Sequence, residues 1–429
     1  MTKNIEETCS FGLCTGCGTC VALCPNSAIR MARKEGRYVP QLNNERCNQC
    51  GICYEVCPGH SVNFEELNFT TFGKKSKDIL MGNYVNCYIG HSTDPTIRYN
   101  SASGGLVTAL LIFAIEEGIV DGALVTKMND KNPLEPEVFI ARSKGEIIAA
   151  SKSKYCPVPA NIAIKEVLKE DGKFAAVGLP CHIHGIRKAE MINKKLRKIV
   201  LHFGLFCNHS PTFLATDYLL QKMDIEKEDI QKIDYRGKGW PGGMSITLKN
   251  TNQIFIPQFS NLYWGAVFQS YFIPIRCALC SDKICELSDI SFGDAWLPEL
   301  SGDRLGESII VSRNRVSEEL LQNAISKKKI ELYETDSQKV LQSQGLRSVK
   351  KRINARISVF NGISKKTPVY YQKLLESDLF DYIGALSLYL QIHVSSKQSL
   401  WIFLDPYLFL LRCANYLKSK LSLGKLANS

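Results

Sequence analysis

Cys14-Thr-Gly-Cys17-Gly-Thr-Cys20-Val-Ala-Leu-Cys24-Pro25 and, 33 residues further on, Cys47-Asn-Gln-Cys50-Gly-Ile-Cys53-Tyr-Glu-Val-Cys57-Pro58 are two copies of one phrase, C-x2-C-x2-C-x3-C-P. In this run three closely spaced thiolates wrap one corner of a cubane [4Fe-4S] cluster, and the fourth crosses over to the other cluster. The spacing therefore assigns Cys14, Cys17, Cys20 and Cys57 to one centre, and Cys47, Cys50, Cys53 and Cys24 to a second. Glycines inside each phrase let backbone N–H groups approach the sulfurs, and each proline follows the crossing cysteine where the chain turns. Zinc sites take four ligands in two pairs, whereas each phrase offers four in series.

Outward from this repeat, the chain is long. Its 429 residues exceed one ordinary domain, and 45% hydrophobic with 22% charged residues is the balance of a globular protein with a sizeable core. Seventeen cysteines behind a polar Met1–Glu7, which has no apolar signal-peptide core, point to thiolates serving metals in a reducing, cytoplasmic compartment. The net charge of +11 is uneven: from Val316 onward there are 17 Lys/Arg against 9 Asp/Glu. A solvated face accounts for such a basic stretch, and an acidic partner or anionic lipid is the sharper reading. No aromatic interleaving or nucleic-acid motif accompanies it, so no nucleic-acid partner is expected. The apolar stretch Leu400–Arg412 is broken by Asp405, Pro406 and Arg412, short of the about 20 residues a membrane span needs. Membrane-surface contact through this C-terminal tail stays open, with Lys418, Lys420 and Lys425 beside its aromatics.

The expected organisation has four parts. Residues 1–66 form a ferredoxin-like domain with short strands at Ser27–Met31 and Ser61–Phe64, followed by a polar linker at Asn68–Lys77. Residues 84–150 read as strand, glycine turn, apolar helix from Leu106, and strand from Asp121. Residues 151–315 hold buried strands from Phe174 and Ile199, each ending at a cysteine. Residues 316–429 read as a helical basic tail.

Five further cysteines belong together: Cys181 and Cys207 at strand ends, then Cys277-Ala-Leu-Cys280 and Cys285. Four converging thiolates hold a third cluster or a zinc ion, and a thiol at a strand end is also an ordinary buried residue. Ser101-Ala-Ser103-Gly104-Gly105 ahead of the apolar helix is either an anion site at a helix N-terminus or a plain helix cap. Tyr235-Arg-Gly-Lys-Gly-Trp-Pro-Gly-Gly is a glycine-rich basic loop fit for phosphate or ring stacking, or a flexible turn.

Taken in order, Arg98-Tyr-Asn-Ser-Ala-Ser-Gly-Gly, Ser153-Lys-Tyr, Val177-Gly-Leu-Pro-Cys-His, Phe206-Cys, Tyr235-Arg-Gly-Lys-Gly-Trp-Pro, Cys277-x2-Cys280 and Asp289-Ile-Ser-Phe-Gly-Asp-Ala-Trp resemble the coenzyme F420 hydrogenase/dehydrogenase beta-subunit family, preceded by a fused ferredoxin module. The resemblance covers roughly residues 84–315 and leaves the tail uncovered. It implies an α+β/α/β fold: a bacterial-ferredoxin-like N-terminal domain, a mixed α/β flavin-binding body and a helical basic C-terminal tail. It also implies FAD and a third [4Fe-4S] cluster, with Cys181, Cys207, Cys277 and Cys280 as ligands and Cys285 as substitute. Carried over by motif, Ser103, Gly104 and Gly105 face the FAD pyrophosphate. Lys154, Arg236 and Lys238 contact phosphate or flavin, and Asp294 orients a ligand or a loop. His182, beside Cys181, tunes a cluster or shuttles a proton, or is simply a hydrogen-bonded core residue.

Clusters move single electrons and a flavin stores two, so a chain holding both converts between one- and two-electron chemistry. The expected function is an iron–sulfur flavoprotein oxidoreductase taking electrons from a ferredoxin-like donor or partner redox subunit. Its organic acceptor is a deazaflavin coenzyme or another substrate, including one in polysaccharide biosynthesis, a setting in which some bacterial members occur. The alternatives are a non-catalytic electron-transfer subunit and a cluster-bearing scaffold of a larger complex.

Overall fold

Alternation of small and branched apolar residues dictates the central sheet. In a computed structural model, which describes residues 3–76, 78–258, 267–268, 271–404 and 406, the ferredoxin-like module contributes β1 (Ile29–Lys34) and β2 (Arg37–Leu42), an antiparallel hairpin, and the short β3 (Ser61–Val62). The body follows with β4 (Cys87–Ser92), β5 (Gly122–Met128), β6 (Pro136–Ala141), β7 (Phe174–Gly178) and β8 (Ile199–Leu205). A meander of β9 (Ile230–Asp234), β10 (Gly243–Leu248) and β11 (Gln253–Pro257) forms a separate antiparallel sheet. Then come β12 (Ile290–Asp294), β13 (Ser308–Ser312), β14 (Ile330–Thr335) and β15 (Val369–Tyr370).

Eight strands make the main sheet in the order β14-β4-β13-β12-β8-β7-β5-β6. β12, β8, β7 and β5 run parallel, and the flanking strands pair antiparallel. Successive residues face opposite sides, as the pleat requires. Ala123 and Val125 of β5 pack beneath helices Leu106–Glu116 and Arg315–Ser326. Leu124 packs on the other side with Ile183 and Ile186 of helix Pro180–Ile192. That helix is tied to the sheet by a buried ionic quartet. Arg187 donates to Asp289 at 3.0 Å and to Glu190 at 3.1 Å, and both ring nitrogens of His202 face carboxylates, Glu190 at 2.8 Å and Asp289 at 3.0 Å.

Two expectations need correction. The span from Asn68 is not a linker: helix Phe64–Phe72 runs through it, capped by the Asn63 side chain and burying Phe64, Leu67 and Asn68. Phe64 and Leu67, three residues apart behind an Asn cap, were the overlooked helical signal. The body also does not stop at 315. Helix Arg315–Ser326 buries Leu320, Leu321 and Ala324 against the sheet, and β14 pairs with β4 as an edge strand. The part of the expected helical tail at residues 407–429 lies outside the described residues.

The module is docked, not tethered. β3 pairs with β15, and helix Thr19–Leu23 lies against helix Pro180–Ile192 so closely that a Cβ on Gly185 would stand 2.3 Å from Thr19 Oγ1. Asn161 seals the contact, its amide donating to Thr19 Oγ1 at 2.8 Å and its backbone N–H to the Cys17 carbonyl at 2.9 Å.

Candidate iron–sulfur and cofactor site

Inside the module, short turns aim backbone N–H groups at sulfur. Gly16 N–H donates to Cys14 Sγ at 3.3 Å, Ala28 to Cys24 at 3.2 Å, Gln49 to Cys47 at 3.4 Å and Gly59 to Cys57 at 3.3 Å. The thiols of both phrases lie close enough to raise one another's pKa. Burial, then Cys17, Cys57, Cys14 and Cys53, push the Cys20 thiol well up, and burial with Cys17 and Cys14 pushes Cys57 up to about 12. Cys53 is raised by burial and by Cys50, Cys24 and Cys47. Cys20 thus has Cys17, Cys57 and Cys14 as neighbours, with Cys53 of the second phrase also beside it, and Cys53 has Cys50, Cys24 and Cys47.

Four further thiols lie near one another in the body. Cys181 stands in the first turn of helix Pro180–Ile192, and Cys207 just past β8. Cys277 lies in the short helix Ile275–Ala278, with Cys280 beyond its end. Burial raises Cys181 well above the ordinary thiol range, reinforced by Cys17, Cys277, Cys207 and Cys280. Cys181 therefore neighbours both its own set and the module. Arg276, buried, spans the same junction, donating from Nε to the Gly59 carbonyl at 2.7 Å and from a terminal nitrogen to the Pro58 carbonyl at 2.9 Å. Cys285 packs into the core with Ile183 and Leu287 instead of completing the set. Among the described residues no three His, Cys, Asp or Glu side chains are arranged to hold a single metal ion. Ligands of one zinc stand about 3.8 Å apart at Zn–S bonds of about 2.3 Å, tighter than the corners of a cubane.

The parallel strands end at a common edge, where open α/β sheets place ligands. A cavity of about 650 Å³ opens there, lined among others by Cys207, Lys154, Arg236, Asp294 and Ser308. Ser103 and Gly105 also line it, at the start of helix Leu106–Glu116. Gly104 lies beneath, its N–H donating to Ser308 Oγ at 3.0 Å, while Ser103 and Ser308 hydroxyls meet at 2.9 Å. Arg236 follows β9 and is buried, bonded to Tyr155 Oη at 3.1 Å, Asp294 at 3.0 Å and the Ala102 carbonyl. Its Nε, and Gln258 Oε1 in the same wall, have no hydrogen-bond partner among the described residues. Unpaired buried polar atoms cost stability unless a ligand meets them. A helix N-terminus and a buried guanidinium around a hollow with both polar and aromatic walls would suit a dinucleotide carrying a flavin.

Other expected residues behave differently. Lys154 Nζ is held by the carbonyls of Ala150, Ser151 and Lys152 at 2.5–2.9 Å, and desolvation pulls its pKa to about 7, so it clamps its own loop while lining the cavity. Lys238 is outside the cavity wall, its ammonium 5.4 Å from the Phe255 ring centre. His182 accepts at Nδ1 from Leu179 N–H and donates from Nε2 to the Val158 carbonyl, and burial lowers its pKa to about 4. It caps the helix start and also lines the cavity.

Ser308, Gln258, Lys283 and Arg276 escaped the sequence reading. Only Arg276 carried a signal, as a charged residue abutting C-x2-C. Lys283 lines the cavity next to Cys207, whose N–H donates to the Lys283 carbonyl at 2.8 Å, and burial lowers its ammonium to about 8.

Comparison with known proteins identifies the family. Two family models described as coenzyme F420 hydrogenase/dehydrogenase, beta subunit, match this chain: the one for the C-terminal part matches residues 171–338 and the one for the N-terminal part matches 87–165. A 4Fe-4S dicluster domain matches 13–61. The coenzyme F420 hydrogenase subunit beta of Methanothermobacter thermautotrophicus is 28% identical over 260 residues, spanning 58% of this chain and 83% of that protein. The coenzyme F420-dependent sulfite reductase of Methanocaldococcus jannaschii is 25% identical over 373 residues, 82% of this chain and 52% of that protein. A chain of the F420-reducing [NiFe] hydrogenase complex from Methanosarcina barkeri shares the fold, with TM-score 0.51 and 23% identity over 68% of this chain and 97% of that one. The chain belongs to the coenzyme F420 hydrogenase/dehydrogenase beta-subunit family and carries an N-terminal 4Fe-4S dicluster domain.

Proposed function

We propose that this iron–sulfur protein is a flavin-dependent oxidoreductase in which electrons enter the module and leave through the cavity to an organic acceptor. The supporting observation is adjacency: Cys181 neighbours Cys17 of the module, and Cys207 belongs both to the third thiol set and to the cavity wall. Cys24, Cys47, Cys50 and Cys53 would hold the outer cluster, Cys14, Cys17, Cys20 and Cys57 the middle one, and Cys181, Cys207, Cys277 and Cys280 the one beside the cavity. FAD, when bound, supplies hydride chemistry to a chain otherwise built for single electrons.

The protein's own groups have distinct tasks. Ser103, Gly105 and the helix dipole behind them receive a pyrophosphate. Asp294 and Tyr155 hold the Arg236 guanidinium in the cavity wall, where its positive charge favours an anionic cofactor. Lys283 keeps a cation near the third set, where charge accumulates on reduction. The relatives' names place coenzyme F420 in their chemistry, and an acceptor of that deazaflavin class, or another ring-bearing molecule, suits a hollow with both aromatic and polar walls. The Methanosarcina barkeri relative is part of a hydrogenase complex, so a partner redox subunit is the natural alternative donor to a free ferredoxin.

Iron, acid-labile sulfide and flavin per chain, measured on protein purified without oxygen, test this reading. About twelve irons and one FAD are expected. About eight irons without flavin, even after reconstitution, would leave a non-catalytic electron-transfer or scaffold subunit.

A further inference from the structure

Two cations at the junction of module and body lie away from water without a carboxylate. Arg276 is 3% exposed, with Nε and one terminal nitrogen spent on the Gly59 and Pro58 carbonyls. Lys188, half-buried on helix Pro180–Ile192, donates from Nζ to the Cys57 carbonyl at 2.7 Å and the Ser61 carbonyl at 3.2 Å. Neither forms an ion pair with a carboxylate among the described residues. Arg187, Arg236 and Lys350 are different: each of these buried cations faces an Asp or a Glu. Carbonyl dipoles solvate a cation only in part, and an unpaired charge out of water is costly.

Sulfur supplies the missing counter-charge. Burial opposes the charge on Arg276, while the Tyr370 phenol and then Cys280, Cys181 and Cys277 favour it. Burial opposes Lys188 in the same way; Cys57 leads the groups that favour its charge, followed by Glu55, Cys17 and Glu66. Arg276 thus serves thiols assigned to the third cluster, and Lys188 serves thiols assigned to the middle one. Tyr370 keeps the guanidinium in place. Its ring centre lies 5.7 Å from Arg276 Cζ, and its Oη donates at 2.7 Å to the Leu279 carbonyl, between Cys277 and Cys280. Four thiolates give a cubane cluster a net negative charge, and each electron taken up adds to it. Water dissipates that charge at the thiols assigned to the outer cluster, where Cys50 is exposed and Cys24 and Cys47 are half-buried. Cys17, Cys20 and Cys57 are buried, so the added charge there has to be met by the protein. A fixed cation beside a buried cluster does this, stabilising its reduced form.

We propose that Lys188 and Arg276 raise the reduction potentials of the middle and third clusters, offsetting burial, so that an electron on the outer cluster can move inward. The Arg276 half rests on the third cluster proposed above, and the Lys188 half on the ligand assignment within the 4Fe-4S dicluster domain. A redox titration of the full chain, purified without oxygen and followed by electron paramagnetic resonance, tests this, with iron per chain as the control. Lys188→Gln is expected to keep its iron and to shift the middle cluster's one-electron equilibrium about tenfold against reduction, a potential about 59 mV lower. Arg276→Gln is expected to do the same to the third cluster. Lys188→Arg and Arg276→Lys keep the charge while altering the carbonyl contacts, and are expected to stay within about threefold of the wild-type equilibrium. An unmoved potential in a glutamine variant, or an equal shift in its charge-keeping counterpart, overturns the proposal for that residue. A cluster lost from a glutamine variant but retained by its counterpart supports the role of charge; one lost from both marks a structural role and overturns it. About eight irons in the wild type would overturn the third-cluster reading and the Arg276 half together, and the Lys188 pair would still decide the other half.

Discussion

At the scale of single residues, thiols of similar sequence context separate by where they point. Cys57 is influenced by Cys17 and Cys14 of the first phrase, and under the proposed ligand assignment Cys57→Ser is expected to lower iron by about four per chain, read by iron analysis and low-temperature spectroscopy of the reduced protein. Cys285 is the opposite case. Packed with Ile183 and Leu287, Cys285→Ala is expected to leave iron at the wild-type level, whereas Cys277→Ser lowers it. Equal losses in both variants would mean that the third set is wrongly drawn. Arg236 holds the cavity's main buried positive charge, with one nitrogen unspent. Arg236→Gln is expected to weaken FAD retention by about tenfold or more, measured as flavin remaining after gel filtration.

At the scale of elements, close approaches set the geometry. Gly104 lets the loop before helix Leu106–Glu116 press on the sheet: a Cβ there would stand 2.5 Å from the Gly90 carbonyl and 2.8 Å from Ser308 N. Gly104→Ala is expected to cost about 1–3 kcal/mol in denaturant unfolding and to lower flavin content, because helix start and Ser308 move together. The quartet that pins helix Pro180–Ile192 to β8 and β12 titrates. Burial and Arg187 oppose charge on His202, but Glu190 and Asp289 outweigh them and raise its pKa above 6.5. A raised pKa contributes stability that is complete below the unfolded value and is lost as pH rises through the folded one. His202→Gln is therefore expected to lower stability by about 3 kcal/mol in mild acid, with a gap to wild type that narrows toward alkaline pH. A gap that widened with pH would show that His202 is neutral in the fold.

At the scale of the whole molecule, the proposed electron path from module to cavity requires the docking of module and body. Arg276 bridges them through two carbonyls of the Pro58–Gly59 turn, close to both the module's middle set and the third set. Arg276→Ala is expected to keep its iron but to slow reduction of the cavity-bound flavin by a reduced ferredoxin, followed by stopped-flow absorbance. Unchanged rates would place electron entry at the body and make the module a side branch.

The repeat spacing alone determined the two cysteine phrases and a 4Fe-4S ferredoxin-like N-terminus, because ligand order in such runs is local and each glycine and proline serves its immediate neighbours. The apolar helix from Leu106 and strands β5, β7 and β8 were equally legible, since their periodicity lies within a few residues. Tertiary structure alone decided the rest. It turned Cys285 into the core and His182 into a cap, and it spent Lys154 on its own loop and placed Lys238 outside the cavity. It also added β14 to the sheet, joined β3 to a partner some 300 residues away, and brought Ser308 and Gln258 to the cavity. The physical reason is the same in each case. A side chain's type is written locally, but its role depends on which distant backbone groups and charges meet it once strands from across the chain share one edge.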